Sequence, residues 1–158
     1  MFLVLIKSDS RELVKRLGRM VDGLELLEGV FLVWAPRDKV AKAVDAVKRN
    51  VIRRWEEEGR GPMFEVAVVE LGEAQYKEVR PLAKAVVEKL AEALLEEMER
   101  LHEKMRSGDR KVLGWYRDVA ARYQRLVDIS LALDIEPTIM GRLRDKWKEV
   151  SLEAGRLR

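Results

Sequence analysis

Two groups of basic side chains are the residues whose type and spacing best suit a chemical role. The members of the first group are Lys39, Lys42, Arg49 and Arg53. At about 100° per residue, these four positions fall within a narrow arc of one helix face. Such a row attracts phosphates, and each neutralised phosphate adds a salt-dependent contribution to nucleic-acid affinity. The second group, in a segment with a basic excess, is Arg142, Arg144 and Lys148.

The first group also has a purely structural interpretation. Asp38 precedes Lys42 by four residues, and Asp45 precedes Arg49 by four. Acid-first pairs at this spacing stabilise a solvated helix face by themselves. The sequence therefore leaves two alternatives open, a nucleic-acid-binding surface and an ordinary charged face.

Asp9 is the candidate for metal chemistry. It follows the first apolar run, at the place where small CRISPR-associated endonucleases with a ferredoxin-like fold keep a metal-binding aspartate. Two symmetry-related carboxylates across a dimer could hold a divalent cation. The alternative is that Ser8, Asp9 and Ser10 cap the first helix.

Other catalytic arrangements are absent from the sequence. His102 is the only histidine, and with Glu99, Glu103 and Arg106 near it in sequence we interpret it as a partly exposed surface group. A metal site would need further ligands at defined geometry. There is no phosphate loop or dinucleotide glycine fingerprint. We predict no catalytic residue, no metal site and no cofactor, and the sequence leans away from an enzyme.

The segment Gly114 to Arg125, GWYRDVAARYQR, interleaves aromatic and arginine side chains, as in surfaces that stack on bases. Tyr116 and Tyr123 lie on an apolar helix stripe, which favours core packing for them. Asp118 is spaced to pair with Arg122.

The N-terminal half contains the elements that would position these residues. Met1 to Lys7 is a near-continuous apolar run typical of a buried central strand. A helix follows, ended by Gly23. The segment Leu24 to Pro36, LELLEGVFLVWAP, is either one strand or a hairpin turning at Glu28-Gly29, and we favour the hairpin because glycine supplies the required positive φ.

Pro36 is expected to open the helix that carries the first basic group. The run from Phe64 to Leu71, FEVAVVEL, is then a last strand, mostly apolar and so expected to be largely covered. The result is a ferredoxin-like β-α-β-β-α-β unit, which belongs to the α+β class.

The C-terminal half is expected to consist of three long helices packed as a helical extension. The apolar stripe of the first consists of Val79, Val86, Leu90, Leu94, Met98, Leu101 and Met105. Ser107-Gly108-Asp109 separates this helix from the second, with a glycine stop and an aspartate N-cap. Pro137 is expected to start the third. Stripes of this kind must be buried against one another or against a second chain, which favours a homodimer. We place the domains at 1–72 and 73–158.

Composition limits the other possibilities. Charged residues make up 37% of the 158 residues, cysteine is absent, and Thr138 and Asn50 are the only threonine and asparagine. This bias predicts a thermophilic source. The net charge of +3 is small, but residues 36–60 carry eight basic and five acidic side chains. No run is long enough for a membrane span and no signal peptide is evident, so we expect a cytoplasmic location.

The order of these features resembles the chromate-resistance regulator family. The shared features are FLVLIKSDS, then a helix and a hairpin ending in GVFLVWAP, then a strand of the type FEVAVVEL and a long charged helix. The resemblance implies a transcriptional regulator that binds double-stranded DNA and responds to an oxyanion.

Three functions follow as expectations. The preferred one is a nucleic-acid-binding regulatory protein, an effector-responsive regulator of a resistance or efflux operon. The alternatives are a metal-dependent nuclease of the small ferredoxin-like dimer type and a non-catalytic dimerisation or scaffold module.

Overall fold

The computed structural model describes all 158 residues, in an α+β arrangement of four strands and five α-helices. The strands are β1 (Phe2–Ser8), β2 (Leu24–Leu27), β3 (Val30–Val33) and β4 (Phe64–Glu70). The helices are α1 (Arg11–Met20), α2 (Arg37–Glu58), α3 (Glu73–Arg106), α4 (Leu113–Leu133) and α5 (Met140–Leu157), with a 3-10 turn at Arg110–Val112 before α4.

The chain divides into two compact units. Unit 1 is Met1–Ala83 and unit 2 is Lys84–Arg158. The division therefore falls inside α3, and the domain boundary between residues 72 and 73 stays a prediction.

The strands of unit 1 form one antiparallel sheet in the order β2-β3-β1-β4. β1 pairs with β3 on one side and with β4 on the other, which confirms the predicted central strand. Because neighbouring strands are antiparallel throughout, β1 is parallel to β2, and β3 is parallel to β4. Helix α1 connects β1 to β2, which lie on either side of β3. Helix α2 connects β3 to β4, which lie on either side of β1.

The predicted hairpin is confirmed. β2 and β3 pair antiparallel and turn at Glu28 and Gly29. Gly29 has φ +77°, and a Cβ there would lie 2.5 Å from the carbonyl oxygen of Ile6. Glycine is required at this position both for the left-handed backbone and for the close approach to β1.

The core of unit 1 lies between one face of the sheet and the two helices α1 and α2. It includes Phe2 and Val4 from β1 with Leu17 of α1, all buried. Gly18 of α1 sits directly on the ring of Phe31, because a Cβ on Gly18 would lie 2.3 Å from Phe31 Cε1. The absent side chain lets α1 pack closely against the sheet.

The expected covering of β4 is wrong. β4 is the edge strand of the sheet, and only Phe64 is buried along it. Val68 and Val69, which point to opposite faces, are each 44% exposed. An apolar run predicts burial only where other elements cover both faces, and its sequence does not say whether the strand lies at an edge.

Helix α3 begins earlier than its apolar stripe indicates. Gln75 Oε1 accepts a hydrogen bond from the amide of Gly72 at 3.0 Å, which is one half of a capping box. The helix then continues through Pro81. Over the following turns the buried line is shifted from the predicted one: Ala83, Val87, Ala91, Leu94, Met98, Leu101 and Met105 are buried, whereas Leu90 is 42% exposed.

The start of α5 also differs from expectation. Pro137 lies ahead of the helix in a turn closed by Met140 N donating to Pro137 O at 3.0 Å, and α5 begins at Met140. The cap between α3 and α4 is as predicted, since Gly108 has φ +83° and Asp109 Oδ1 accepts from Lys111 N at 2.9 Å.

Candidate nucleic-acid interface

The four basic residues predicted on the second helix all lie on α2 and are all exposed. We call Lys39, Lys42, Arg49 and Arg53 the α2 stripe. Val40, Val44, Val47 and Val51 of the same helix are buried against the sheet. At about 100° per residue, the centre of the α2 stripe lies opposite the centre of this buried line. The fold of α2 therefore directs all four cations away from the core.

The acidic neighbours of the α2 stripe do not pair with it. Neither Asp38 with Lys42 nor Asp45 with Arg49 forms an ion pair, although both pairs have the favourable spacing. Arg49 Nε instead donates to the backbone oxygen of Asp45 at 3.4 Å, a long hydrogen bond. None of the four cations of the α2 stripe therefore forms an ion pair, although acid-first pairing at both positions was spaced to occur.

The three basic residues predicted on the last helix do not form a comparable row. Arg142, Arg144 and Lys148 are exposed on α5, in unit 2. Arg144 donates to Glu136 at 3.0 Å and is therefore partly neutralised. Helical spacing puts Arg144 and Lys148 about 40° apart but places Arg142 on another side of the helix. Of these three residues, Arg142 and Lys148 form no ion pair and lie on different sides of α5, so the three do not form a stripe.

Asp9 has a structural contact that the sequence did not indicate. Its Oδ1 accepts a hydrogen bond from the amide of Met63 at 3.0 Å, while Ser8 Oγ donates to the carbonyl of Met63 at 2.6 Å. The cap of α1 is Ser10 alone, which accepts from Leu13 N at 3.3 Å. Asp9 therefore connects the turn after β1 to Met63, the residue directly before β4. The predicted helix-capping role is wrong for Asp9.

A metal centre within one chain has no support in the side-chain geometry. No group of three or more His, Asp or Glu side chains is placed to hold a metal ion. The nuclease alternative requires Asp9 of two copies, and it stays a prediction.

The aromatic residues of GWYRDVAARYQR make contacts within unit 2. Trp147 of α5 stacks on both Tyr116 and Tyr123 of α4, with ring centroids 5.3 Å apart in each pair. Arg122 pairs with Glu97 of α3, so the expected pair with Asp118 is not formed. These contacts use the aromatic faces for packing between helices.

His102 is close to one carboxylate. Its Nδ1 lies 3.6 Å from Glu149 Oε2, and Lys146 Nζ donates to the same oxygen at 2.7 Å. The hydrogen bond from Lys146, followed by the nearby positive charges, lowers the pKa of Glu149 from its usual value. The His102 side chain is 14% exposed, so it is partly exposed, as predicted.

A cleft beside α2 was not found from the sequence. It has a volume of about 370 Å³ and lies between α2 and the strands β1 and β4. Arg37 lies at its wall, paired with Glu70 and 5.6 Å from the centre of the Phe2 ring. Its lining comes from three separate elements, so no local pattern could have indicated it.

Comparisons with known proteins give no relative. No family model, no curated protein and no solved structure matches this chain. None of its helices is both long enough and apolar enough to cross a lipid bilayer.

Proposed function

We propose that this protein is a nucleic-acid-binding regulatory protein whose α2 stripe contacts the phosphate backbone of double-stranded DNA. One observation carries the proposal: Lys39, Lys42, Arg49 and Arg53 are exposed on one face of α2, and none has an acidic partner. A cation without a partner can meet a phosphate without first giving up an ion pair.

The length of the α2 stripe suits a duplex. At about 1.5 Å per residue, Lys39 and Arg53 are separated by about 21 Å along the helix. This distance equals the rise of about six base pairs of B-form DNA. Lysine and arginine contacts to phosphate position a protein on DNA but do not themselves read its sequence.

The edge of the α2 stripe restricts how DNA can approach. Helical spacing places Asp38 and Asp45 along one border of the stripe, and both are exposed. Their carboxylates repel phosphate along this border, whereas the opposite border carries the half-buried Ala46 and Asn50 and a single carboxylate, Glu57, near the C-terminal end of α2. Asn50, the only asparagine, is the residue on this border able to make a bidentate base contact.

The proposed fold family is consistent with this role. We assign unit 1 to the ferredoxin-like class, supported by the β-α-β-β-α-β element order and by a sheet that reads 4-1-3-2 from its β4 edge. The layout resemblance to chromate-resistance regulators, which includes FLVLIKSDS and GVFLVWAP, supports an effector-responsive regulator of a resistance or efflux operon. Fold analogy alone does not give function, so the α2 stripe carries the proposal.

Fluorescence anisotropy with a labelled duplex at low salt tests the proposal. The variant Lys42→Gln/Arg49→Gln removes one lysine and one arginine from the α2 stripe. The control Lys48→Gln/Arg54→Gln removes the same charges from other faces of the same helix, where both residues are exposed and unpaired.

The two variants separate specific contacts from net charge. We expect the stripe variant to weaken binding by about tenfold or more and the control by less than about threefold, with unchanged circular dichroism for both. Equal weakening by the two variants, or no binding by the unmodified protein at low salt, would refute the α2 stripe as the interface.

A further inference from the structure

We propose that two copies of this chain associate by antiparallel pairing of their β4 strands, about a twofold axis at Ala67. The surface that points to this is the free edge of the sheet. β4 has a neighbour only on its β1 side, and Ala67, Val68, Val69 and Glu70 are exposed. Exposed edges are usually blunted by proline, charged side chains or a bulge; β4 has no proline and no bulge, and its two charged residues, Glu65 and Glu70, leave the central Val66 to Val69 without a charge.

Two backbone hydrogen bonds determine which groups the edge presents. Ile6 N donates to Gly29 O at 2.7 Å, and Leu71 N donates to Met1 O at 2.8 Å. The first shows that the even-numbered residues of β1 bond toward β3. The second shows that Leu71 bonds toward β1. Because hydrogen-bonded and non-hydrogen-bonded pairs alternate in an antiparallel ladder, all the odd-numbered residues of β4 bond toward β1.

The even-numbered residues of β4 therefore direct their amide and carbonyl groups to the open edge. These residues are Phe64, Val66, Val68 and Glu70. None of their outward backbone groups has a partner within the chain. A strand that continues the sheet must match these four positions.

A second β4 matches them when Ala67 faces Ala67 of the other copy. In this register Phe64 lies opposite Glu70, and Val66 lies opposite Val68, so every outward-facing residue meets another outward-facing residue. Glu65 lies opposite Val69, so no carboxylate opposes a carboxylate. Pairing of Val66 with Val68 and of Val69 with Glu65 covers the two valines that are 44% exposed.

Neighbouring registers are less favourable. A shift of two residues places Glu70 opposite Pro62, which has no amide N–H, or places Phe64 opposite Gly72, beyond the end of the strand. A shift of one residue sets outward-facing residues against residues that bond toward β1, and it turns the helices of the two copies to opposite faces of the sheet. The strand FEVAVVE pairs with itself over all seven residues only about Ala67, which is why the partner is a second copy.

This interface does not depend on DNA binding. It also differs from a dimer built through the helical stripes of α3 to α5, since it uses only unit 1. With α1 and α2 on the same sheet face in both copies, the pair would form one continuous sheet.

Cysteine cross-linking tests the register directly, because the chain contains no cysteine. In the paired dimer the Ala67 positions form a non-hydrogen-bonded pair with Cα atoms about 4.5 Å apart. This separation suits a disulfide. The control Val69→Cys lies on the same strand and face, but its two copies would be about 13 Å apart, because residue 69 faces residue 65.

We expect Ala67→Cys to give a disulfide-linked dimer under mild oxidation at least tenfold faster than Val69→Cys. Non-reducing electrophoresis of both variants, each first shown to keep the circular dichroism of the unmodified protein, measures this. Equal cross-linking rates, or no dimer from Ala67→Cys, would overturn the proposal.

A charge pair gives an independent measurement. Ala67→Lys and Ala67→Glu each place like charges face to face at the twofold axis, so each variant alone should be monomeric by sedimentation. An equimolar mixture should restore the dimer, because lysine then faces glutamate. Dimers from either variant alone, or no dimer in the mixture, would contradict pairing of the two β4 strands about Ala67.

Discussion

The indole N–H of Trp115 donates to Glu97 Oε1 at 2.8 Å and so links α4 to α3. Arg122 pairs with the second oxygen of the same carboxylate. The hydrogen bond from Trp115 is the largest cause, and Arg122 a further one, of a pKa for Glu97 that is lower than usual. Because only 20% of the Glu97 side chain is exposed, solvent screens these contacts less than it screens a fully exposed pair.

Glu97→Gln should therefore destabilise the protein in a pH-dependent way. A carboxylate whose folded pKa is lowered adds stability above its unfolded pKa, near 4.3, and loses it as the pH falls through the folded value. We expect the variant to be less stable by about 1 kcal/mol at pH 7, and the difference to shrink below about pH 4. Urea unfolding at several pH values measures it.

The exposed, unpaired Glu92 on the same helix is the control for this prediction. Glu92→Gln should change the free energy of unfolding by less than about 0.5 kcal/mol at every pH. A constant gap between Glu97→Gln and the unmodified protein across this pH range would contradict the role given to the charge.

Gly18→Ala should destabilise unit 1, because the added Cβ would lie 2.3 Å from the ring of Phe31. Overpacking of this kind costs about 1–3 kcal/mol. Gly155→Ala in α5 is the control: its Cβ would meet nothing within 4 Å, and we expect a gain of about 0.4–1 kcal/mol from lower chain entropy. Thermal unfolding of both variants distinguishes them, and equal effects would contradict the close approach of α1 to β3.

Trp147→Leu should weaken the packing between α4 and α5. The substitution removes two stacked pairs, with Tyr116 and Tyr123, worth about 0.5–1.5 kcal/mol each, or about 1–3 kcal/mol together. Leu152→Ala on the same helix serves as control, since Leu152 is 67% exposed and should cost less than about 0.5 kcal/mol. Denaturant midpoints report the difference; similar losses of stability from both would mean that the stacks do not stabilise unit 2.

Local turn chemistry made several turns and helix ends in both units predictable. Glu28-Gly29 indicated the hairpin, and Ser10 and Gly108 marked helix ends, because each of these residues acts through its own backbone or a near neighbour. The helical spacing of Lys39 to Arg53 likewise placed the α2 stripe correctly on one exposed face.

The remaining features depend on tertiary contacts. An apolar strand has the same sequence pattern at the centre and at the edge of a sheet. The exposure of β4 at the edge could therefore not be predicted from FEVAVVE. In α3 the buried line runs through Ala83 and Ala91, whereas hydrophobicity alone favours Leu90. Small side chains where helices approach closely give a weak apolar signal. The cleft at Arg37 and the link from Asp9 to Met63 join residues distant in sequence.

The measurement that most directly tests the account is the salt dependence of duplex DNA binding. For each phosphate that the protein no longer neutralises, the slope of log affinity against log salt concentration should become shallower by about 1. We predict a slope shallower by about 2 for Lys42→Gln/Arg49→Gln and an unchanged slope for Lys48→Gln/Arg54→Gln. The same slope for the stripe variant and the unmodified protein would contradict phosphate binding by the α2 stripe.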